Sequence, residues 1–379
     1  MKKIAVFLGD FFWSSIPYDG IRLHQLLSQR IDADLILFDK DIRLNKKFTG
    51  KEKFFFDPSV FQNAKNLKTL TNWDCLRNIA KDYDLILTST HIAPKTRYPD
   101  PTSIKNYSCP FAVWDIGGAD ILVNTKFASA HFVKGPIWKK FLSENGATKN
   151  NISVTGSPHY DPYITETYDQ KEKNDFFKKY QIEGASGYIL VCPTNPASHV
   201  EQFNQNLPDL EKLIRIATDA NLKILLKTYP GDYLFFENQF QFSGVYKRIS
   251  GPQPQYEMLK SKFPDIIVVE SQDHFKAIMF CDALFNMSGT HTAWETHFSL
   301  AKSYSINYKN KSYYSKVPYL NNVTFPDSIY NTNLDAIEEI MTFTKSKKED
   351  NEYVITSNAS SKISELIFTN TFQNSLGII

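Results

Sequence analysis

The residues best suited to chemistry lie where apolar runs give way to small and hydroxyl side chains. The clearest case is 285–295, FNMSGTHTAWE. An apolar run closes at Met287, and Ser288-Gly289-Thr290 then leads into a helical stretch. A Ser or Thr caps a helix start, a Gly lets a ligand approach the backbone, and the free N–H groups of the first turn attract an anion. A nucleotide mono- or diphosphate suits such a cradle, with His291 beside it. Glu295, about one turn further on, can reach ribose hydroxyls. The same residues also suit an ordinary capped helix after a strand.

Three further junctions have this form. In 188–199, YILVCPTNPASH, a buried strand ends in Cys192-Pro193-Thr194 and exposes Thr194 at the sheet edge. In 224–232, ILLKTYPGD, Lys227 stands at a strand end, where a cation meets a phosphate or an acidic sugar. In 152–161, ISVTGSPHYD, a strand runs into Thr155-Gly156-Ser157-Pro158, a hinge and cleft wall or a plain turn. Proton transfer needs a positioned base. Three candidates each follow an apolar run: Asp10 before Phe11-Phe12-Trp13, His91, and Asp115 in Trp114-Asp115-Ile116-Gly117-Gly118. Each equally suits a structural hydrogen bond.

Other chemistries are poorly served. His291, Glu295 and His297 follow an i, i+4, i+6 spacing that puts no three ligands on one helix face, and HExxH is absent. No metal and no other cofactor is expected. GxSxG is missing, which argues against a serine hydrolase, and GxGxxG is missing, which argues against a simple dinucleotide oxidoreductase.

The elements that must position these residues alternate as in βαβ units, which predicts parallel sheets. Strands are predicted at 4–8, 34–38, 84–88, 111–115 and 152–155, with helices at 20–30, 73–81 and 137–145. A charged stretch at 164–187, with a helix at 172–180, reads as a hinge or linker. A second series follows, with strands at 188–192, 223–227, 266–269, 283–287 and 302–308. Its helices fall at 207–220, 273–281 and 292–299, and terminal helices at 335–344 and 360–372. The domains are therefore expected at 1–163 and 188–345 around a linker at 164–187, with 346–379 packing back toward the N-terminal domain.

Bulk composition agrees. A length of 379 residues suits two α/β domains, and 42% hydrophobic with 22% charged residues is ordinary for a globular protein. A net charge of +2 gives no global field for nucleic acid, so no nucleic-acid partner is expected. Cys75, Cys109, Cys192 and Cys281 form no CxxC pair, which fits a reducing compartment. Six uncharged residues between Lys3 and Asp10 are too few for a signal peptide core and read as a buried strand. No apolar run reaches the length of a spanning helix. The segment 46–61 interleaves lysines with phenylalanines, including Phe54-Phe55-Phe56. It reads as a solvated loop, or as a peripheral contact with anionic lipid at the inner face of the cytoplasmic membrane.

The order of landmarks adds a resemblance. VTGSPHYD, VCPT, LLKTYP, FKAIMFCD, SGTHTAWE and SYSINY follow one another between 135 and 308. This resembles the GT-B family of CDP-glycerol glycerophosphotransferases and capsule and Kdo-type surface-carbohydrate transferases. There a TGNPxxD loop, an APT strand end, a KxHP turn and an SS or SG helix start share this order. The chain departs at Tyr229-Pro230, which replaces the histidine-proline pair, and at Ser157, which stands where asparagine is usual. Lys227 or His199 would substitute for that histidine. Non-hydrolysing sugar-nucleotide epimerases and the lipid A disaccharide synthase share a similar SG-T/G…E element.

The resemblance implies an α/β, GT-B architecture of two Rossmann-like domains whose parallel sheets face a central cleft. It implies that Ser288, Gly289, Thr290 and His291 hold the donor phosphate and that Glu295 holds ribose. Thr194 and Lys227 would meet the nucleotide or the transferred group, and Glu270 would border the base pocket. Gly156 and Ser157 would form a cleft loop. The activity implied is a metal-independent glycosyltransferase of the cytoplasm, moving a sugar or polyol phosphate onto a surface-polysaccharide precursor. Its partners would be a CMP-, CDP- or UDP-linked donor and a glycan or lipid-linked glycan acceptor, with Asp10, Asp115 or His91 as catalytic base. The alternatives are a non-hydrolysing sugar-nucleotide 2-epimerase and a non-catalytic nucleotide- or glycan-binding member of an assembly complex.

Overall fold

The structure is a computed structural model. It describes residues 3–9, 16–38, 64–90, 107–115, 125–193, 200–227, 254–269, 273–287, 295, 297–299, 301–305 and 354–369. The chain forms two compact units, Met1–Glu166 with Glu349–Ile379, and Thr167–Lys348.

The first unit is built on a seven-stranded parallel sheet in the order β3-β2-β1-β4-β5-β6-β7. The strands are β1 (Lys3–Gly9), β2 (Asp32–Phe38), β3 (Leu67–Leu70), β4 (Leu85–Ser89), β5 (Phe111–Trp114), β6 (Ala130–Val133) and β7 (Ile152–Val154). Central strands are apolar at nearly every position because helices cover both faces. Ile4 through Leu8 are fully buried. Helices α1 (Ile16–Leu27), α2 (Trp73–Ile79) and α3 (Pro136–Glu144) lie between strands, and α4 (Asp161–Thr165) follows the last of them. Helix α1 lies close on β1 because Gly20 has no side chain: a Cβ there would stand 1.9 Å from Leu8 Cδ2.

The second unit opens with α5 (Gln170–Lys179), started by a reciprocal capping box between Asp169 and Glu172. Its five-stranded parallel sheet has the order β10-β9-β8-β11-β12. The strands are β8 (Gly187–Cys192), β9 (Leu222–Leu226), β10 (Ile267–Val268), β11 (Ala283–Asn286) and β12 (Lys302–Ser305). Helices α6 (Val200–Asp219), α7 (Pro254–Lys262) and α8 (His274–Phe280) pack around them. Phe203, Leu210, Leu213 and Ala217 recur at helical spacing and bury one face of α6 against β8, β9 and β11. Helix α6 begins at Val200 rather than near 207, and Pro208 lies inside it.

The chain then returns to the first unit as α9 (Ala359–Phe368). Its Ile363 and Ile367 join the core beside α1. The Asp161 carboxylate accepts from Ala359 N at 2.7 Å and Ser360 N at 2.9 Å. It thereby satisfies two orphan donors of the helix start from a distance of almost two hundred residues. Ile355 N also donates to the Lys134 carbonyl at 2.9 Å. No described helix is long and apolar enough to cross a membrane.

Candidate functional site

Parallel strands deliver all their carboxyl ends to one edge, and ligands bind there, at the point where strand order reverses. In the second unit that point lies between β8 and β11, since the chain moves from β8 to one side and returns to the other. Met287 N donates to the Cys192 carbonyl at 2.9 Å, and Asn206 Nδ2 donates to the Met287 carbonyl at 3.1 Å. The residue before Ser288 is therefore fixed at the strand-order reversal.

Lys227 follows β9 directly, its N–H donating to the Val191 carbonyl at 2.8 Å. Glu295 is 5% exposed. Between them in charge is His274, the first residue of α8, also buried. Burial holds the imidazole well below its usual pKa, the Lys227 cation lowers it further, and Glu295 opposes. Lys227 and Glu295, singled out separately in the sequence, thus act on one buried histidine. A cation, a carboxylate and a neutral imidazole at this edge can pair with a phosphate and with sugar or base hydrogen bonds.

The start of α8 is held from outside. Asp273 accepts from Lys179 Nζ and from Tyr180 Oη, each at 2.6 Å, and Lys276 pairs with Glu172 at 3.1 Å. These contacts fix α8 against α5 and so set where His274 stands.

In the first unit Asp115 follows β5 and Lys134 follows β6. Both are fully buried, with Nζ 3.2 Å from Oδ2, and the ammonium lies 4.2 Å from the Trp138 ring centroid. Burial lowers the Lys134 pKa, and the Asp115 charge and hydrogen bond resist that. Asp115 N donates to the Phe132 carbonyl, while Thr155 N and Gly156 N both donate to the Val133 carbonyl. Asp115, Lys134 and Gly156 are therefore gathered around the end of β6. Gly156 has φ +83°, and a Cβ on it would meet Ser357 Oγ at 2.6 Å. Ser157 is buried, and its hydroxyl has no hydrogen-bond partner. Thr88 Oγ1 and Ser89 Oγ at the end of β4, and Trp114 Nε1 at the end of β5, are buried polar atoms of the same kind. Asp19, in the first turn of α1, lies 3.5 Å from His159 Nδ1.

Asp10, His91, Thr194, His199, Glu270, Ser288, Gly289, Thr290 and His291 lie outside the described residues, as do the lysine- and phenylalanine-rich segment 46–61 and the helix predicted at 335–344. Among the described residues no three His, Cys, Asp or Glu side chains gather as a metal site. Sequence reasoning missed Lys134, His274, Asp19 and His159. Lys134 had only a weak signal, because the strand it follows, Ala130–Val133, is interrupted by His131.

The two parallel sheets, each with helices and with its strand order reversing at an inner strand, define an α/β fold of the GT-B class. Solved structures agree over almost the whole chain. The UDP-GlcNAc 2-epimerase of Neisseria meningitidis bound to UDP-GlcNAc superposes with a TM-score of 0.63 at 11% identity, covering 97% of this chain and 100% of that one. The Methanocaldococcus jannaschii UDP-GlcNAc 2-epimerase in complex with UDP-GlcNAc and UDP gives 0.62 at 14% identity, covering 96% and 99%. The Rickettsia bellii UDP-N-acetylglucosamine 2-epimerase gives 0.59 at 11%, covering 100% of both chains. At such identities the likeness establishes the fold. No protein-family model matches the sequence. No curated protein matches it either.

These neighbours correct the expected activity. The sequence landmarks led to a glycosyltransferase, whereas several structures sharing the fold from end to end are UDP-GlcNAc 2-epimerases. The likeness is one of fold, and no family model or curated protein extends it to the CDP-glycerol or Kdo-type transferases. The cause is physical: a Ser-Gly element suited to a phosphate carries no information about what happens to the sugar.

Proposed function

We propose that this chain binds a UDP-linked sugar and inverts its configuration at C2, as a non-hydrolysing sugar-nucleotide 2-epimerase. The observation that carries the reading is the end-to-end fold likeness to UDP-GlcNAc 2-epimerases, two of them with UDP-GlcNAc bound. The buried His274 and Glu295, with the half-buried Lys227 whose charge reaches the same imidazole, support it. In this reading Lys227 and the 288–291 turn hold the diphosphate, Glu295 holds ribose, and Thr194 and Glu270 complete the nucleotide pocket. Inversion breaks the C2–H bond and remakes it on the opposite face, so it consumes no acceptor and no oxidant. The candidates for the base are Asp10, His91 and Asp115, each of which follows a strand of the first unit. The four cysteines, Cys75, Cys109, Cys192 and Cys281, are joined by no disulfide, which supports a reducing, cytoplasmic setting.

The test is incubation with UDP-GlcNAc and no acceptor, with the sugar nucleotides separated by ion-exchange chromatography. The C2 epimer is expected as the only new sugar nucleotide. UDP-GlcNAc that binds and is recovered unchanged would make the chain a non-catalytic binder and overturn the epimerase assignment.

A further inference from the structure

His274 belongs to none of the motifs that point to the nucleotide, yet one of its ring nitrogens is buried without a hydrogen-bond partner. Val269 N already donates to the Leu226 carbonyl at 2.9 Å, so the Val269 group bonded to the imidazole is its carbonyl. The ring nitrogen bonded there must donate. The other nitrogen, Nε2, is buried and has no hydrogen-bond partner. With Nδ1 carrying the proton and the ring neutral, Nε2 presents a lone pair. A buried acceptor of this kind costs stability unless something donates to it. Lys227 on the β9 side and Glu295 beyond β11 both act on the ring. As the first residue of α8, which follows β10 in a parallel sheet, His274 stands on the carboxyl side of the sheet. The pinning of Asp273 by Lys179 and Tyr180 fixes the ring's backbone.

We infer that His274 Nε2 is a fixed acceptor for the nucleoside half of the bound nucleotide, taking a hydrogen bond from uracil N3–H or from the ribose 2′-hydroxyl. This rests on reading the second unit as the nucleotide site. Both groups are donors. Cytosine offers only an acceptor at N3, so the two sources separate cleanly by choice of ligand.

Binding of UDP, CDP and 2′-deoxy-UDP is measured by calorimetry on the full chain, for wild type, His274→Phe and His274→Gln. Phe removes the acceptor and should weaken UDP about tenfold. Gln offers a carbonyl oxygen and should recover most of that loss. If uracil is read, CDP binds the wild type about tenfold more weakly than UDP and does not respond to the Phe variant. If ribose is read, UDP and CDP fall together in the Phe variant while 2′-deoxy-UDP does not. The ratio of two affinities is unaffected by any misfolded fraction. An unchanged UDP affinity in the Phe variant, an equal loss for all three nucleotides, or a Gln variant no better than Phe would each overturn the inference. A wild type that binds no UDP is a different failure, which removes the nucleotide reading itself.

Discussion

Replacing Lys134 by methionine should destabilise the first unit severely. The substitution keeps an aliphatic chain over the Trp138 ring and removes the ammonium 3.2 Å from Asp115 Oδ2, in a place with no solvent exposure. At that separation and an effective dielectric of about 20, the attraction lost is about 5 kcal/mol. Relaxation and water entry return part of this, so the expected loss is about 3–5 kcal/mol. Urea unfolding followed by tryptophan fluorescence reads it directly, because Trp73, Trp114 and Trp138 all belong to the first unit. The double variant Asp115→Asn with Lys134→Met removes both charges and should recover more than half of the loss, since it leaves no buried carboxylate without its cation. A single-variant loss below about 1 kcal/mol, the worth of an exposed ion pair, would refute the claim that this pair is buried and coupled. So would a double variant as unstable as the two single losses added.

The first unit should also lose stability in mild acid through His131, whose burial holds its pKa down to about 4 against a usual 6.5. Between those values the unfolded chain binds a proton that the folded one refuses. Stability from this group is complete above about pH 6.5 and falls as pH drops toward 4, by up to about 3 kcal/mol. His131→Gln should flatten that limb in urea titrations from pH 7 to 4, and an unchanged slope would count against it. Gly156→Ala forces a side chain into a positive-φ position and against Ser357 Oγ. A loss of about 1–3 kcal/mol is expected, partly relieved by adding Ser357→Ala, and no loss would contradict the geometry. Asp161→Ala strips the carboxylate from the two N–H groups that start α9. Hydrogen exchange over 359–368 should speed up while the central β1 stays protected, and equal protection in both proteins would rule out the capping role.

Much of this architecture could be read along the chain because central parallel strands are unbroken apolar runs. Ile4 to Leu8, Leu85 to Thr88, Tyr188 to Cys192 and Ala283 to Met287 have few polar interruptions and all were located within a residue or two. Edge and polar strands were not. The edge strand β3 alternates Lys68 and Thr69 with an exposed Leu67, and nothing in that pattern demands burial. Strand β6 contains His131, which looks polar in sequence but hides its ring by bonding Nε2 to the Thr125 carbonyl at 2.9 Å. Missing β6 also meant missing Lys134, whose pairing with Asp115 exists only because β5 and β6 lie side by side. The same holds for His274. No local spacing links it to Lys227 or Glu295, and only the strand order places the three together. Lys227 was singled out because it directly follows an apolar strand, and Glu295 because it falls about one turn beyond the Ser-Gly-Thr element after another. The error in activity came from the same local landmarks, which are silent about the fate of the sugar.

The central claim is inversion at C2 without an acceptor, and proton NMR of UDP-GlcNAc incubated with the protein in deuterated water tests it most directly. The account predicts that the C2 epimer accumulates, that its C2 proton signal is replaced by deuterium, and that substrate recovered at equilibrium carries the same label. UDP-GlcNAc that keeps its C2 proton and its configuration, in a sample shown to bind UDP, would contradict it.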